Sequence, residues 1–285
     1  MGKISLVVSD VDGTLVTTDK VLTERSRGAI ARLGAAGIGF SVISSRPPFG
    51  LAKLIESLGL RLPLGAFNGA ALVAPDLTVL EHRALPAQTA RDAVAHFRAL
   101  SIDPWLFTVD QWLVENAAGP YVPLETRTIG TQPVVVDDLQ AHGDAVAKLV
   151  GVSKDFGRLA AAEPQMREAL GGRASLVRSQ AYYLDITPAG TSKGTLLAEL
   201  ARRLSIPTAD IVTLGDMEND VPMFRNSGFS IAMGNASAEV KRHASAVTLS
   251  NDQDGFAAAI EEIVLPRAEA QSAGGRAETA GKTCK

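Results

Sequence analysis

Asp10-Val11-Asp12-Gly13-Thr14-Leu15 sets two carboxylates two residues apart, directly behind the apolar run Ile4–Val8. On an extended chain both side chains leave on one side and repel each other, a penalty that a divalent cation removes. Gly13 permits a sharp exit from the strand, although an Asp-Gly turn that merely closes a strand uses the same residues. Gly215-Asp216-Met217-Glu218-Asn219-Asp220 is the second acidic segment. There Asp216 either supplies oxygen to a hard cation or, like Asn219, caps a helix. Ser44-Ser45-Arg46 offers a hydroxyl and backbone N–H groups to an anion, or is a Ser-rich turn before Pro47-Pro48. Lys193 opens a helix, where a cation opposes the macrodipole unless an anion bridges the two. A solvated surface lysine is the plainer reading. Four scattered histidines and the single Cys284 offer no zinc-type ligand cluster.

These residues need elements to carry them. The periodicity predicts strands over Ile4–Ser9, Gly39–Ser44 and Leu64–Phe67, with helices from Thr23 to about Ala36 and over Pro47–Leu58. The same grammar returns late in the chain, with a helix from Lys193 to Leu204, strands over Ile211–Leu214 and Phe229–Met233, and a helix over Gly255–Val264. Strands alternating with helices imply an α/β fold, a Rossmann-like parallel sheet with helices on both faces. Asp10, Ser44 and Asp216 each follow one of its strands, and open α/β sheets bind ligands outside the carboxyl ends of their strands. The middle of the chain reads as α+β. It has a helix over Gln88–Leu100, a hairpin around Val109-Asp110 and strands over Gln132–Val136, Val146–Val152, Ala174–Ser179 and Tyr182–Thr187. A helix near Asp155–Leu170 is expected to break at Pro164. Discontinuous core segments 1–83 and 187–266, an inserted α+β cap 84–186 and a disordered tail 267–285 are therefore expected.

Composition narrows the function classes. Of 285 residues 46% are hydrophobic and 21% charged, so a disordered chain is excluded. A net charge of −3 and the lack of a long Lys/Arg block leave no basic face for nucleic acid. Ile4–Val8 is too short for a signal peptide or a membrane span, so a cytoplasmic protein with no membrane partner is expected.

With these segments in order, the sequence resembles the haloacid-dehalogenase-like phosphohydrolases, and within them the Cof-type sugar-phosphatase branch with a large inserted cap. Asp10-Val11-Asp12-Gly13-Thr14-Leu15 looks like the first motif, Ser44 the second, Lys193 the third, and Gly215-Asp216 with Asn219-Asp220 the fourth. Phe67-Asn68-Gly69-Ala70, Met233-Gly234-Asn235-Ala236 and Asn251-Asp252-Gln253-Asp254-Gly255 also resemble recurring segments of that branch. Ser44-Ser45-Arg46 departs from the usual Thr-Gly-Arg but keeps the hydroxyl. The resemblance implies a Mg2+-dependent phosphomonoester hydrolase acting on a small phosphate ester, a sugar phosphate by class. Asp10 would be the nucleophile that becomes an aspartyl-phosphate, and Asp12 the general acid and base. Mg2+ would sit on Asp10, the Asp12 carbonyl and Asp216, with phosphate on Ser44, Lys193 and Asn219 and with Asp220 in support. Arg46 and Asn68, each behind a core strand, are the substrate-contact candidates. Trp105, Trp112, Arg127, Tyr182 and Tyr183 line a pocket or fill the core. Two rivals stay open: a phosphotransferase or mutase of the phosphomannomutase type, and a non-enzymatic phosphoacceptor switch. The length and Asp12 weigh against the switch.

Overall fold

The computed structural model describes residues 3–271. In chain order the strands begin with β1 (Leu6–Ser9), β2 (Gly39–Val42), β3 (Leu64–Ala66), β4 (Ala71–Val73) and β5 (Val79–His82). Then come β6 (Asp103–Phe107), β7 (Trp112–Val114), β8 (Val134–Val135), β9 (Lys148–Val152), β10 (Ala174–Gln180) and β11 (Tyr183–Pro188). The last are β12 (Ile211–Gly215), β13 (Phe229–Ala232) and β14 (Ala246–Val247). The helices are α1 (Glu24–Ala35), α2 (Ala52–Leu58), α3 (Ala87–Ala99), α4 (Val122–Ile129), α5 (Phe156–Leu170), α6 (Lys193–Leu204), α7 (Val221–Arg225), α8 (Ala238–Arg242) and α9 (Gly255–Ala258).

The chain gathers into two compact units. One takes the residues up to Val42, Leu197–Asp216 and the residues from Asp220 onward; the other takes Ile43–Leu196 with Met217–Asn219. The first unit holds a parallel sheet in the order β14-β13-β12-β1-β2. Leu6 pairs with both Ile211 and Gly39, and Ser9 with both Leu214 and Val42, so β1 is flanked on both edges. Every residue of β1 and β12 is buried, as strands covered on both faces require. α1 starts where predicted: Thr23 caps it by accepting from the Ser26 N–H, and its buried Ala29 and Leu33 face inward. The helix packs on β2 and α9, where Phe40 meets Phe256 edge-on at 5.7 Å.

The second unit carries the antiparallel sheet β3-β4-β5 and a sheet in the order β10-β11-β9-β6-β7-β8, antiparallel except for β7 with β8. Alternation sorts the larger sheet. Leu106, Leu113, Leu149, Leu184 and Ile186 share one cluster with residues of α3 and α5. Trp105, Phe107, Trp112 and Tyr183 alternate with them and stack on one another, Trp105 lying 5.0 Å from Trp112 and 5.5 Å from Tyr183. These aromatics therefore fill the core, while Arg127 lines an open groove.

The structure differs from the sequence reading in five places. β3 does not join the parallel sheet but pairs with β4, touching the strand behind β2 only through an Ile43–Gly65 bridge. The β4–β5 hairpin was hidden in an apolar stretch whose turn rests on Leu77 at φ 68°. The helix α4 was not anticipated. α5 runs unbroken through Pro164: that residue and Ala160 are exposed, so the carbonyl that Pro164 leaves unbonded meets water. Buried Leu159, Ala162, Met166 and Leu170 hold both halves of α5 inward. Finally, residues 267–271 of the expected disordered tail are helical, and 272–285 lie outside the described residues.

Candidate active site

β1 delivers Asp10 at its carboxyl end, where the Asp10 N–H donates to the Leu214 carbonyl at 2.9 Å and extends the ladder to β12 by one residue. Asp216 follows β12 directly. One carboxylate oxygen from each of Asp10, Asp216 and Asp220 falls within 4.8 Å of the others, and all three residues are buried. Three like charges gathered out of water repel strongly, and hard divalent cations take such carboxylate sets. The donor set fits a metal of that kind, being all oxygen and all acidic.

The surrounding residues build this cluster. Gly13 sits at φ 86°, and a Cβ there would collide with the Asp216 carboxylate. Thr14 Oγ1 donates to Asp216 Oδ1 at 2.8 Å, and Asn235 Nδ2 donates to Asp216 Oδ2 at 3.2 Å and to the Gly13 carbonyl at 2.9 Å. The Asp216 N–H donates to Asp220 Oδ2 at 2.8 Å, and a Cβ on Gly215 would strike Asp220. Further out, the Asn251 N–H donates to Asn235 Oδ1 at 3.0 Å. Asp12 is buried in the same loop, with Lys20 Nζ 2.9 Å from its Oδ1. So the carboxylate grouped with Asp10 and Asp216 is that of Asp220, expected only in support, while the side chain of Asp12 is engaged by Lys20.

The remaining candidates lie in the second unit. Ser44 stands two residues past β2 and is fully buried; its Oγ accepts from the Arg46 N–H at 3.1 Å. Arg46 Nη1 donates to the carbonyls of Gly50 and Thr128, both at 3.4 Å. The Phe67 N–H donates to the Arg46 carbonyl and the Asn68 N–H to the Ser44 carbonyl, at 3.0 and 2.9 Å. Phe67, Asn68 and Gly69 all have positive φ, at 52°, 55° and 107°. A left-handed non-glycine residue costs on the order of 1–3 kcal/mol, a strain that clusters at functional sites. Gly69 is also pressed against Ser192, whose carbonyl a Cβ would strike. Ser192 and Thr195 cap α6 reciprocally, the Ser192 N–H donating to Thr195 Oγ1 at 2.9 Å and the Thr195 N–H to Ser192 Oγ at 3.1 Å. Lys193 in the first turn is 1% exposed, which removes the reading of a solvated surface lysine.

Asn68 leads to residues that sequence reasoning missed. Its Nδ2 donates to Asp185 Oδ2 at 2.6 Å, and Asn219 Nδ2 donates to Asn68 Oδ1 at 2.8 Å. Lys148 Nζ lies 3.6 Å from Asp185 Oδ2, donates to the Ser45 carbonyl at 2.9 Å, and sits 5.0 Å from the centre of the Phe107 ring. Burial pushes the Asp185 carboxyl up, against the downward pull of Lys148, Ser179 and Asn68. Their signal was in the sequence: a single charge interrupts each of two apolar strands, Val146–Val152 and Tyr183–Thr187.

Comparison with known proteins agrees with this fold. Residues 7–260 match the family model of haloacid dehalogenase-like hydrolases. The chain is 27% identical over 283 residues to a 5-amino-6-(5-phospho-D-ribitylamino)uracil phosphatase of Bacillus subtilis, with 90% of this chain and 97% of that protein covered. It is 27% identical over 241 residues to an HMP-PP phosphatase of Escherichia fergusonii, covering 83% and 86%. A haloacid dehalogenase-like hydrolase structure from Bacteroides thetaiotaomicron superposes with a TM-score of 0.80 at 29% identity, covering 92% of this chain and all of that one. The chain belongs to the haloacid dehalogenase-like hydrolases. Within them it is an enzyme of the Cof-type phosphatase branch.

Proposed function

We propose that the protein hydrolyses the phosphomonoester of a small, hydroxyl-bearing metabolite, a sugar or polyol phosphate, through an aspartyl-phosphate on Asp10. The buried grouping of Asp10, Asp216 and Asp220 behind neighbouring parallel strands carries this reading. The B. subtilis relative, named for a phosphorylated ribityl compound, supports the substrate class.

Asp10 Oδ attacks phosphorus and the bond from phosphorus to the ester oxygen breaks. Asp12 gives a proton to that leaving oxygen. In the second step Asp12 takes a proton from water as the water oxygen bonds to phosphorus. The acyl-phosphate bond then breaks, which frees inorganic phosphate and restores the Asp10 carboxylate. Lys20 holds one Asp12 oxygen. Mg2+ held by Asp10, Asp216 and Asp220 would supply the positive charge that lets a carboxylate approach a phosphate dianion. Ser44 and Lys193 are assigned to the phosphoryl oxygens. Asn219, expected on the phosphate, turns its nitrogen to Asn68 and is assigned with Arg46 and Asn68 to the substrate and its orientation, and Asp220 also holds the Asp216 backbone.

The test is phosphate release from a panel of phosphomonoesters with Mg2+, comparing wild type with Asp10→Asn. Turnover should fall by at least about 1,000-fold while the melting temperature is kept. Undiminished release by the variant would reject Asp10 as nucleophile. Dependence on an added sugar acceptor would turn the assignment toward phosphotransfer.

A further inference from the structure

Lys148, Asp185, Asn68 and Asn219 form a buried polar chain in which each link constrains the next. Lys148 Nζ, a group that only donates, and Asn68 face the same oxygen, Asp185 Oδ2. That oxygen must therefore accept whether or not the carboxyl is ionised, since any proton would go to Oδ1. Asn68 must then present its nitrogen to Asp185 and its oxygen to Asn219, and Asn219 must answer with nitrogen. Amide orientation is two-fold ambiguous in isolation, but here it is fixed from one end. Two oxygens are left over, Asp185 Oδ1 and Asn219 Oδ1, both buried and without a hydrogen-bond partner among the described residues, and Asn219 Oδ1 is the one at the end of the chain. Buried polar groups are seldom left so, and an acceptor is satisfied only by a donor. Asn68 is held in its place by the left-handed turn at residues 67–69.

We infer that Asp185 is a positioning residue which, through Asn68, turns the carbonyl oxygen of Asn219 toward the ligand, and that the ligand group meeting it is a hydroxyl donor. The chain itself stands on geometry; its ligand rests on the phosphatase reading.

Polarity reversal tests the chain without substrate. Asn219→Asp sets a carboxylate oxygen against Asn68 Oδ1 and lowers the melting temperature. In the Lys148→Met, Asp185→Asn background the group that only donates is gone and the whole chain can reverse, with nitrogen offered at 185 and accepted at 219, so Asn219→Asp lowers the melting temperature less there than in wild type. An equal or larger loss from Asn219→Asp in that background overturns the chain.

The donor assignment is read from selectivity. Asn219→Ala should lower kcat/KM about tenfold or more on a sugar phosphate, but no more than about threefold on p-nitrophenyl phosphate, which has no hydroxyl to read. Replacing the anchor pair together, Lys148→Met with Asp185→Leu, should reproduce that selectivity change and add nothing once Asn219→Ala is present. Equal losses on both esters overturn the donor assignment. If wild type turns over no ester while the polarity reversal rescues, the phosphatase reading and the donor assignment fall and the chain survives.

Discussion

The acidic cluster of the first unit and the lysine–amide chain of the second handle buried polarity in opposite ways. Asp10, Asp216 and Asp220 concentrate one sign of charge, and Thr14, Asn235 and the backbone of Asp216 fix the geometry around Asp216. Lys148 and Asp185 bring one charge of each sign, and neutral amides carry the arrangement onward. Where like charges gather, a cation can join them; where opposite charges pair within the chain, the arrangement works by orientation alone. The first kind of site should answer to ions and the second to substitutions within the chain.

The largest effect is expected in the balanced region. Lys148→Met strands a buried carboxylate and should destabilise by about 3–5 kcal/mol, most of which returns when Asp185→Leu is added. Chemical denaturation of the two variants measures both, and a benign single variant would erase the contrast. Next comes the ion response of the acidic cluster. At a hundredfold excess over Kd, Mg2+ should stabilise wild type by about 2.7 kcal/mol. Asp220→Asn, relieved of one like charge, should melt no lower than wild type without metal yet lose that increment. A similar Mg2+ shift in the variant would show that the three carboxylates do not act together.

A smaller effect is expected from pH. Because burial raises the Asp185 carboxyl, the native chain keeps that proton to higher pH than the unfolded chain. The associated stability is intact below the ordinary carboxylate range near 4 and declines as pH rises toward the raised value. Melting temperature followed upward from pH 4 should show this decline steepened by Lys148→Met and absent in Asp185→Asn. The smallest expectation concerns Lys20, whose ammonium is 20% exposed. Lys20→Met should slow turnover only a few fold, about 1 kcal/mol or less. Lys20→Arg should restore it, and alkyl esters should suffer more than aryl ones because Asp12 acts on the leaving oxygen.

The parallel sheet was legible because its strands are continuous apolar runs that end in acidic or hydroxyl residues, a pattern that serves no helix. The acidic motifs were legible for the same reason: Asp10 and Asp216 stand where apolar runs stop. Asp220 was harder to weigh, since its place beside Asp216 depends on Gly215 offering no Cβ, which spacing alone does not display. Lys148 and Asp185 escaped because pairing them needs the register of β9 against β11, a long-range property. The Pro164 expectation failed for a packing reason: local propensity forecast a break, and four buried side chains overrode it.

The route of the chain through the parallel sheet sets a timetable for synthesis. Leu6 waits for Ile211, and at about 5–20 residues per second that partner leaves the ribosome on the order of 10–40 s later. Until then β1 can pair only with β2, and its other edge is an open template for any neighbouring strand. Within the stretch 43–196 every strand of both sheets has its partner, so they can pair during the wait, although the contact of Asn68 with Asn219 comes later. Slowing translation beyond residue 196 would therefore lengthen the exposure of the open edge of β1 and leave the strand pairing of the second unit unchanged.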